Sequence, residues 1–370
     1  MEFTARKDEL LRELSLIQGI VERKNTIPVL ANVLIDAQDS EVELAATDLD
    51  VGLRSRFPAK VKKAGSLTLS AKKLFEIVRA VTEPEIELKE LENFWASITS
   101  GKSYFKMVGL AKADFPTLAE PPKEPASVIP GGVLREMIRK TSFAITADDS
   151  RYFLNGARLE IGPQGFRMVA TDGHRLAYIE VKVKRDSDNG SLSVTVPKKT
   201  LLELLKVLGE SEGDVLFSQS ENHLFFRVQE RLLVSKRVED QFPAYDKVIP
   251  KDNDKVVVCR RDALGGALRR VSLLANERSR AVRFAIKPEL MEISSQNPEL
   301  GEAKEELGVD YAGEGLQVGF NGQYILDFLG VEESESVRLE LKDDSSQCLL
   351  RPSDAGKEID YRYVVMPMRT

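Results

Sequence analysis

Apolar residues recur with helical spacing at three places along the chain, and a shorter helical pattern follows each of them. The longer patterns comprise Leu10, Leu14, Ile17 and Val21, then Leu134, Ile138, Thr141 and Ile145, then Leu264, Leu268, Val271 and Leu274. The shorter patterns comprise Leu74, Phe75 and Val78, then Leu201, Leu202 and Leu205, then Tyr324, Ile325 and Phe328. Spacings of three and four residues place such side chains on one face of a helix. Because these landmarks return about every 125 residues, the sequence predicts three copies of one unit with two helices each.

Short runs of alternating or wholly apolar character lie between the helical patterns and predict β-strands. Examples are residues 29–36, 41–46, 158–161, 166–170, 232–238 and 337–341. Each unit ends in an apolar run followed by an aromatic residue or methionine and then proline, as in Phe115 and Pro116, Phe242 and Pro243, and Met366 and Pro367. Two helices with many antiparallel strands predict an α+β fold with both helices on one face of the sheet.

Two proline-containing polar segments, residues 120–126 and 246–254, separate the units. We therefore expect domains over residues 1–122, 123–248 and 249–370. A chain of 370 residues with 42% apolar content is long enough for this division. No run of about 18 apolar residues occurs and the N terminus lacks the layout of a signal peptide, so we expect a cytoplasmic protein without a membrane partner.

The net charge of the chain is −6, and this value by itself argues against a nucleic-acid ligand. The predicted helices, however, have a net positive charge. The helical segments are residues 4–24, 71–81, 133–145, 197–209, 260–275 and 321–330. They contain 18 basic and 9 acidic residues, a net +9 that leaves −15 on the rest of the chain. Such charges are also typical of the solvated side of amphipathic helices. A basic helical face on an acidic protein nevertheless favours contact with phosphates, and without a base-reading motif that contact should be independent of DNA sequence.

An enzyme is the main alternative, because residues 172–175 (Asp-Gly-His-Arg) place an acid beside a histidine as in an acid–base pair. His223 lies in a strand-like run, no serine occupies a glycine-flanked nucleophile turn, and no metal-ligand spacing or phosphate-binding glycine loop occurs. We therefore expect a non-catalytic protein without a cofactor. Cys259 and Cys348 lie in apolar runs and are expected in the core. A repeat protein that binds only other proteins is the second alternative, against which the basic helical face argues.

Several motifs closely resemble the bacterial sliding clamp family, the beta subunit of DNA polymerase III. They are residues 151–156 (Arg-Tyr-Phe-Leu-Asn-Gly), 171–176 (Thr-Asp-Gly-His-Arg-Leu), 363–369 (Tyr-Val-Val-Met-Pro-Met-Arg), 114–116 (Asp-Phe-Pro) and 296–298 (Gln-Asn-Pro). The resemblance covers the entire chain. It implies three tandem DNA-clamp domains and a head-to-tail homodimeric ring with the helices around its hole. Such a ring is a processivity factor that encircles duplex DNA, slides without sequence specificity and tethers replicative and repair polymerases in the nucleoid.

The resemblance also implies a hydrophobic pocket for a short linear motif of DNA polymerases, the ATP-dependent clamp loader and repair proteins. The matching positions are Leu154, Thr171, Gly173, His174, Arg175, Leu176, Pro243, Val248, Asn321, Tyr324, Val364, Val365, Met366, Pro367, Met368 and Arg369. Methionines in such a pocket adapt their shape to different apolar side chains, so many partners can share it. The chain departs from the family at Thr370, where a leucine is common.

Contacts with DNA and between subunits are implied at further positions. The family match places DNA at Lys24 and at Arg151, Tyr152 and Phe153, although Asp148 and Asp149 in the neighbouring loop should repel phosphates. From helix charge alone, Lys72, Lys198, Lys199, Lys206, Arg269 and Arg270 are further candidates. The predicted subunit joint sets Lys73 and Phe105 of the first domain against Leu273, Leu274, Glu299 and Glu302 of the third. Apolar contact ringed by opposite charges suits a joint that a loader must open.

Overall fold

Two compact units make up the chain, and the middle repeat is divided between them. The computed structural model describes residues 1–21, 27–125, 127–146, 149–184, 191–209, 213–238, 242–354, 356 and 358–369. One unit consists of Met1–Arg135 and Lys199–Arg237, and the other of Glu136–Lys198 and Val238–Thr370. No helix among the described residues is long and apolar enough to cross a membrane.

The same order of helices and strands occurs three times. The first repeat contains β1 Glu2–Arg6, α1 Lys7–Ile20, β2 Asn32–Gln38, β3 Glu41–Thr47, β4 Val51–Pro58, β5 Lys60–Lys63, β6 Gly65–Ser70, α2 Ala71–Ala80, β7 Glu85–Glu90, β8 Trp95–Ser100 and β9 Ser103–Leu110. The second contains β10 Ser127–Pro130, α3 Gly131–Thr141, β11 Gly156–Gly162, β12 Gly165–Thr171, β13 Arg175–Lys182, β14 Leu192–Pro197, α4 Lys198–Leu208, β15 Asp214–Gln219, β16 His223–Val228 and β17 Arg231–Lys236. The third contains β18 Lys255–Arg260, α5 Arg261–Val271, β19 Ala281–Lys287, β20 Leu290–Asn297, β21 Gly301–Gly308, β22 Leu316–Asn321, α6 Gly322–Val331, β23 Ser336–Leu341, β24 Cys348–Pro352 and β25 Ile359–Val365. Apart from β5, the repeats match element for element.

The six predicted helices are confirmed, with differences at their ends. The first was predicted from residue 4, but β1 occupies the chain as far as Arg6 because it pairs with β5 and β7. The strand predicted over 29–36 was wrong in its first part, since Pro28–Ala31 is a 3-10 helix and the strand begins at Asn32. Proline at the start of that turn has a restricted φ and no N–H to donate to a strand ladder.

The first unit contains a single antiparallel sheet of 13 strands, in the order β10-β15-β16-β17-β4-β3-β2-β6-β9-β8-β7-β1-β5. The second repeat joins the first where β17 pairs with β4, with Leu233 opposite Leu53. Helix α1 packs on β3 and β4 and beside α2. It buries Leu10, Leu14 and Ile17, three of the four residues that its periodicity predicted, whereas the fourth, Val21, follows the helix and is half-buried.

A buried ion pair reinforces this junction beneath α1. Nε and Nη2 of Arg231 donate to the two carboxylate oxygens of Glu13 at 2.8 and 2.6 Å, and the Ser55 hydroxyl donates to the same carboxylate. The Glu13 side chain is only 2% exposed. Burial alone would raise the pKa of Glu13, but the hydrogen bonds from Arg231, Ser55 and Arg12 outweigh it and hold the pKa below its ordinary value. The cluster therefore ties α1 and β4 of the first repeat to β17 of the second.

The second unit contains an eight-stranded sheet, β14-β11-β12-β13-β25-β24-β23-β18, and a four-stranded sheet, β21-β20-β19-β22. Here β13 of the second repeat pairs with β25 of the third, with Ala177 opposite Tyr363. Phe328 of α6 stacks on Tyr361 and Tyr363 of β25, with ring centroids 5.4 Å apart in both pairs. The expectation that both cysteines are core residues is confirmed, since Cys259 and Cys348 are buried free thiols.

Replacing Arg231 by leucine should lower the free energy of unfolding of the first unit by about 3 kcal/mol at neutral pH, because it removes the two hydrogen bonds from the guanidinium to the buried Glu13 carboxylate. Urea unfolding followed by circular dichroism measures this. Arg56→Leu is the matched control, because its ion pair with Glu43 on the same sheet is solvent-exposed and should contribute less than about 1 kcal/mol.

The difference in free energy of unfolding between the wild type and the Arg231→Leu variant should become smaller as the pH falls. In the wild type, the Glu13–Arg231 pair contributes its full stabilisation of the folded state at pH values above the ordinary glutamate pKa of 4.5. This contribution is lost as the pH falls through the folded-state pKa of Glu13, which is lower. In the variant, the loss of the Arg231 hydrogen bonds should raise the pKa of Glu13, so its carboxyl group protonates at a higher pH and the desolvation cost of the carboxylate disappears. A deficit that stays constant between pH 7 and pH 4 would contradict this account.

Candidate functional site

An apolar cavity of about 230 Å³ lies in the second unit beside the turn between β12 and β13. The residues around it are Phe153, Leu154, Thr171, Gly173, His174, Arg175, Leu176, Pro243, Tyr245, Val248, Val364 and Met366. They come from the β12–β13 turn, the end of β25, and the segments before β11 and after β17. A cavity of this size with a mainly apolar lining suits one or two apolar side chains of a ligand.

Hydrogen bonds within residues 171–175 determine the shape of the turn at the cavity. The Asp172 carboxylate accepts from the backbone N–H groups of His174 and Arg175 at 2.9 and 3.0 Å. Gly173 has a φ of +87°, in the left-handed region that favours glycine. The acid and histidine that suggested an acid–base pair thus form a turn, and among the described residues no group of three His, Cys, Asp or Glu side chains could hold a metal ion.

Arg175 is held behind the cavity by groups from both adjoining repeats. Its guanidinium donates to Asp172 at 3.0 Å, to Asp327 of α6 at 2.5 Å and to the carbonyl oxygen of Phe143 at 2.7 Å. It also stacks 4.4 Å from the ring centroid of Tyr324. Burial would lower the pKa of Arg175, but its polar and acidic neighbours raise it above the ordinary value. This charged side chain therefore links β13 of the second repeat to α6 of the third at the cavity wall.

Tyr245, from the segment after β17, lines the cavity and packs against Tyr178 of β13. Tyr245 and Tyr178 have ring centroids 6.1 Å apart, and both belong to a buried cluster that includes Leu176 and Val364. The Tyr245 hydroxyl donates to Glu160 at 3.1 Å and accepts from Arg167 at 3.2 Å. Burial raises the pKa of Tyr245 to about 12. Tyr245 therefore stays neutral and fixed in orientation.

Ten of the sixteen residues predicted for the pocket line this cavity, and six do not. Those that line it are Leu154, Thr171, Gly173, His174, Arg175, Leu176, Pro243, Val248, Val364 and Met366. Val365 points into the core and is fully buried, because alternate residues of a strand face opposite sides. Asn321 caps α6 by accepting from the Gln323 N–H at 3.0 Å, and Tyr324 reaches the site through Arg175.

The remaining three predicted residues, Pro367, Met368 and Arg369, line a second, more polar cavity of about 610 Å³ beside β22. Met368 N–H donates to the carbonyl oxygen of Gly319 at 2.8 Å, so the chain after β25 runs along the edge of β22. The backbone of Met366 donates to the carbonyl oxygen of His174 at 2.9 Å. Met366 therefore lines the first cavity, and the three residues after it line the second. Thr370 lies outside the described residues.

Tyr245 and Phe153 both line the first cavity, although no role was predicted for Tyr245 and Phe153 was predicted to contact DNA. The available signal was that Tyr245 follows the Phe242 and Pro243 landmark by two residues. For Phe153, the signal was its place next to Leu154, a predicted pocket residue.

Most of the helix cations predicted to contact DNA are already paired with carboxylates. Lys72 pairs with Glu76 at 3.9 Å, Lys206 with Glu203 at 2.8 Å, and Arg270 with Glu305 at 2.5 Å. Lys73, which was predicted for the subunit joint, pairs with the same Glu76 at 2.8 Å. Lys199 pairs with Asp48. Lys198 donates to the carbonyl oxygen of Ile145, and burial lowers its pKa. Arg269 is exposed and has no ion pair within the described part of the chain.

Within their observed bounds, the six helices contain 14 basic and 8 acidic residues, and α2, α3, α4 and α5 each have a net charge of +2. The predicted excess of positive charge therefore remains but is smaller. Arg151 donates to the carbonyl oxygen of Asp172 at 3.0 Å. Lys24, Asp148 and the side chains of Asp149 and Tyr152 lie outside the described residues.

Strands β9 and β21 are among the described strands that have an open edge. Strand β9 pairs with β8 along its length but with β6 only at Gly109 and Leu110, and β21 is the last strand of its sheet in the described chain. Predicted joint residues lie on or near these edges: Phe105 is half-buried on β9, and Glu302 is exposed on β21. Leu273, just after α5, is 77% exposed. Leu274 is half-buried, and Glu299 is exposed.

Comparison with known proteins gives consecutive matches to the three domain models of one family. Residues 1–119 match the N-terminal domain of the DNA polymerase III beta subunit, residues 128–244 its central domain and residues 246–369 its C-terminal domain. The chain belongs to the DNA polymerase III beta subunit family. It is 39% identical to the beta sliding clamp of Pseudomonas putida and 34% identical to that of Escherichia coli K12, in both cases over the whole length of each protein.

Solved structures of the beta subunit family have the same fold. The crystal structure of the DNA polymerase III subunit beta from Pseudomonas aeruginosa aligns over the whole of both chains with a TM-score of 0.92 and 38% identity. A sliding clamp from the same organism bound to griselimycin aligns over the whole of both chains with a TM-score of 0.93 and 38% identity. Three tandem clamp domains are therefore the architecture of this chain. The residue limits predicted for these domains, and the roles predicted for individual residues, stay predictions.

Proposed function

We propose that two copies of this chain form a ring that encircles duplex DNA and holds DNA polymerases on it as a non-catalytic processivity factor. The repetition of one strand junction is the observation that supports this most directly. Strand β17, the last of the second repeat, pairs with β4 of the first, and β25, the last of the third, pairs with the equivalent β13 of the second. By the same rule, β9, the last strand of the first repeat, would pair with β21, the fourth strand of the third repeat, in another chain. Repeating it in both chains closes a cycle of six domains.

The open edges have complementary side chains for this pairing. Unpaired N–H and C=O groups along β9 and β21 are templates for another strand. Phe105 lies on β9 and Glu302 on β21. The other predicted joint residues are Lys73 of α2 on one side, and the exposed Leu273 and Glu299 of the third repeat on the other. Apolar contact at the centre with opposite charges around it would give a specific joint that a clamp loader can still open.

Contact with DNA in this ring would come from the basic helices and would be weak. Each paired lysine or arginine must give up its carboxylate partner to bind a phosphate, so each contact adds little to the binding free energy for DNA. No base-reading motif accompanies these cations, and the contacts should therefore allow sliding along any sequence. Such a ring would work in the cytoplasm at the nucleoid.

The 230 Å³ cavity is the proposed site for a short linear motif of DNA polymerases, the clamp loader and repair proteins. Its apolar lining and the adaptable Met366 suit one or two apolar anchors of such a peptide. Two solved relatives support a ligand site in the family: the P. aeruginosa clamp bound to griselimycin, and a Caulobacter crescentus clamp with PEG at a putative beta-motif tethering region. The second cavity beside the C-terminal segment would take the continuation of the peptide.

Leu273→Asp should convert the dimer into a monomer of 41.3 kDa, because a carboxylate replaces the most exposed apolar side chain of the proposed joint. Light scattering measures the mass. Leu216→Asp, a change at an exposed leucine of β15, should leave the dimer intact. A wild-type chain that is monomeric at micromolar concentration would contradict the ring.

After treatment with a clamp loader and ATP, the wild-type protein should stay on nicked circular DNA and leave linear DNA within seconds to minutes, because a ring slides off free ends. Gel filtration of the DNA-bound fraction measures retention. Leu273→Asp should leave both DNAs rapidly. Equal, rapid loss of the wild-type protein from circular and linear DNA would overturn the encircling proposal.

Met366→Glu should weaken binding of a clamp-motif peptide at least tenfold, about 1.4 kcal/mol, because it places a carboxylate in an apolar cavity. Fluorescence anisotropy of a labelled peptide measures the affinity. Val128→Glu is the control, since Val128 is exposed to a similar degree but lies on β10. An unchanged peptide affinity of the Met366→Glu variant would contradict the proposal that the peptide binds in this cavity.

A further inference from the structure

The connection from the first helix of each repeat to its second strand occurs three times, but DNA contacts were predicted on only two of these connections. The first lies between α1 and β2 and contains Lys24. The second lies between α3 and β11 and contains Arg151, together with the unfavourable Asp148 and Asp149. The third lies between α5 and β19, where residues 276–280 have the sequence Asn-Glu-Arg-Ser-Arg. Equivalent positions in a cycle of repeats face the same surroundings, so the third connection should also face the DNA.

Hydrogen bonds hold this third connection in a defined conformation. The Asn276 side-chain carbonyl accepts from the N–H groups of Arg278 and Ser279 at 3.0 and 3.1 Å. The backbone of Arg280 donates to the carbonyl oxygen of Asn276 at 2.7 Å and accepts from Gly322 N–H at 2.9 Å. Arg280 has a φ of +49°, an uncommon conformation for a residue with a side chain. The two arginines are therefore presented from a turn that is fastened to the start of α6.

Both arginine side chains are exposed, and within the described residues neither has a carboxylate partner. The one polar contact described for either is from Nη1 of Arg280 to the side-chain oxygen of Gln323, at 3.4 Å. In contrast, the helix cations Lys73, Lys206 and Arg270 are all in ion pairs. An arginine without a carboxylate partner gives up no ion pair when it binds a phosphate, and its planar guanidinium donates two parallel hydrogen bonds to phosphate oxygens.

We infer that Arg278 and Arg280 bind the phosphate backbone of duplex DNA as a third contact element in each subunit, an inference that rests on the proposed encircling function. They supply positive charge at the position where the second repeat has Asp148 and Asp149. Because they contact phosphates and not base edges, they slow or steer sliding without selecting a sequence.

An acidic peptide next to the pocket is the competing ligand for these arginines. Gln323, which accepts from Arg280, donates to Asp327 at 2.7 Å, and Asp327 holds Arg175 at the cavity wall. This chain of contacts includes Arg280 only. Arg278 has no described link to the pocket, and the repeat position accounts for both arginines, so DNA is the better match.

The experiment compares three dimers: the wild type, Arg278→Gln with Arg280→Gln, and the control Arg227→Gln with Lys287→Gln. The control removes two exposed cations that also have no ion pair in the described structure, one on β16 and one on β19. Fluorescence anisotropy gives the affinity for a short labelled duplex at a series of NaCl concentrations. The same samples are tested for dimer mass and for affinity to a clamp-motif peptide.

We expect the loop variant to bind the duplex several-fold more weakly at low salt. Its plot of log affinity against log salt should be shallower by about 0.9 for each lost phosphate contact, hence by up to about 2 for each subunit that engages DNA. The control, the dimer mass and the peptide affinity should be unchanged. A salt slope equal to that of the wild type would overturn the inference while leaving the proposed function intact.

Two other outcomes separate the remaining possibilities. Weaker peptide binding with an unchanged salt slope would assign the arginines to a protein partner and overturn the DNA inference. Absence of salt-dependent duplex binding by the wild type, together with equal loss from circular and linear DNA, would overturn the proposed function and this inference together.

Discussion

Antiparallel pairing between the last strand of one repeat and the fourth strand of the previous repeat is the constraint on which the rest of the structure depends. Exposed strand edges have unpaired N–H and C=O groups that must find partners or solvent. Within the chain, β4 and β13 satisfy this need through β17 and β25. The pairing also explains why the compact units do not coincide with the repeats: it merges parts of the middle repeat into the sheets of its neighbours.

An arginine with a partly buried side chain accompanies each of these junctions. Arg231 of β17 meets Glu13 and Ser55 at the first, and Arg175 of β13 meets Asp172 and Asp327 at the second. Buried pairs of this kind are costly to break from one side, because the remaining charge loses its partner in a poorly solvated place. The proposed joint between subunits has exposed charges and an exposed leucine instead. This difference is consistent with two permanent junctions inside the chain and one that can open.

The candidate pocket exists because the second junction lies next to the β12–β13 turn. Arg175 is shared by both features, since it holds α6 and also lines the cavity. A change in the junction would therefore alter the shape of the pocket. The equivalent turn of the first repeat has Leu49 where the second has Gly173, with φ values of +80° and +87°. The repeats thus keep the backbone of this turn while its side chains have diverged, which is consistent with a specialised pocket at one junction.

The sequence by itself determined the threefold repeat and the six helices, and its resemblance to the beta subunit family supplied ten of the residues that line the cavity. Helical periodicity reports which face of a helix is buried, and residues adjacent in the chain, such as 171–176, remain adjacent in the fold. Only the tertiary structure decided that Val365 points into the core, that Tyr245 lines the cavity, and that most helix cations already have carboxylate partners. These facts depend on contacts between residues far apart in the chain, such as Lys199 with Asp48. The pattern of neighbouring residues in the sequence does not indicate which distant residues will meet.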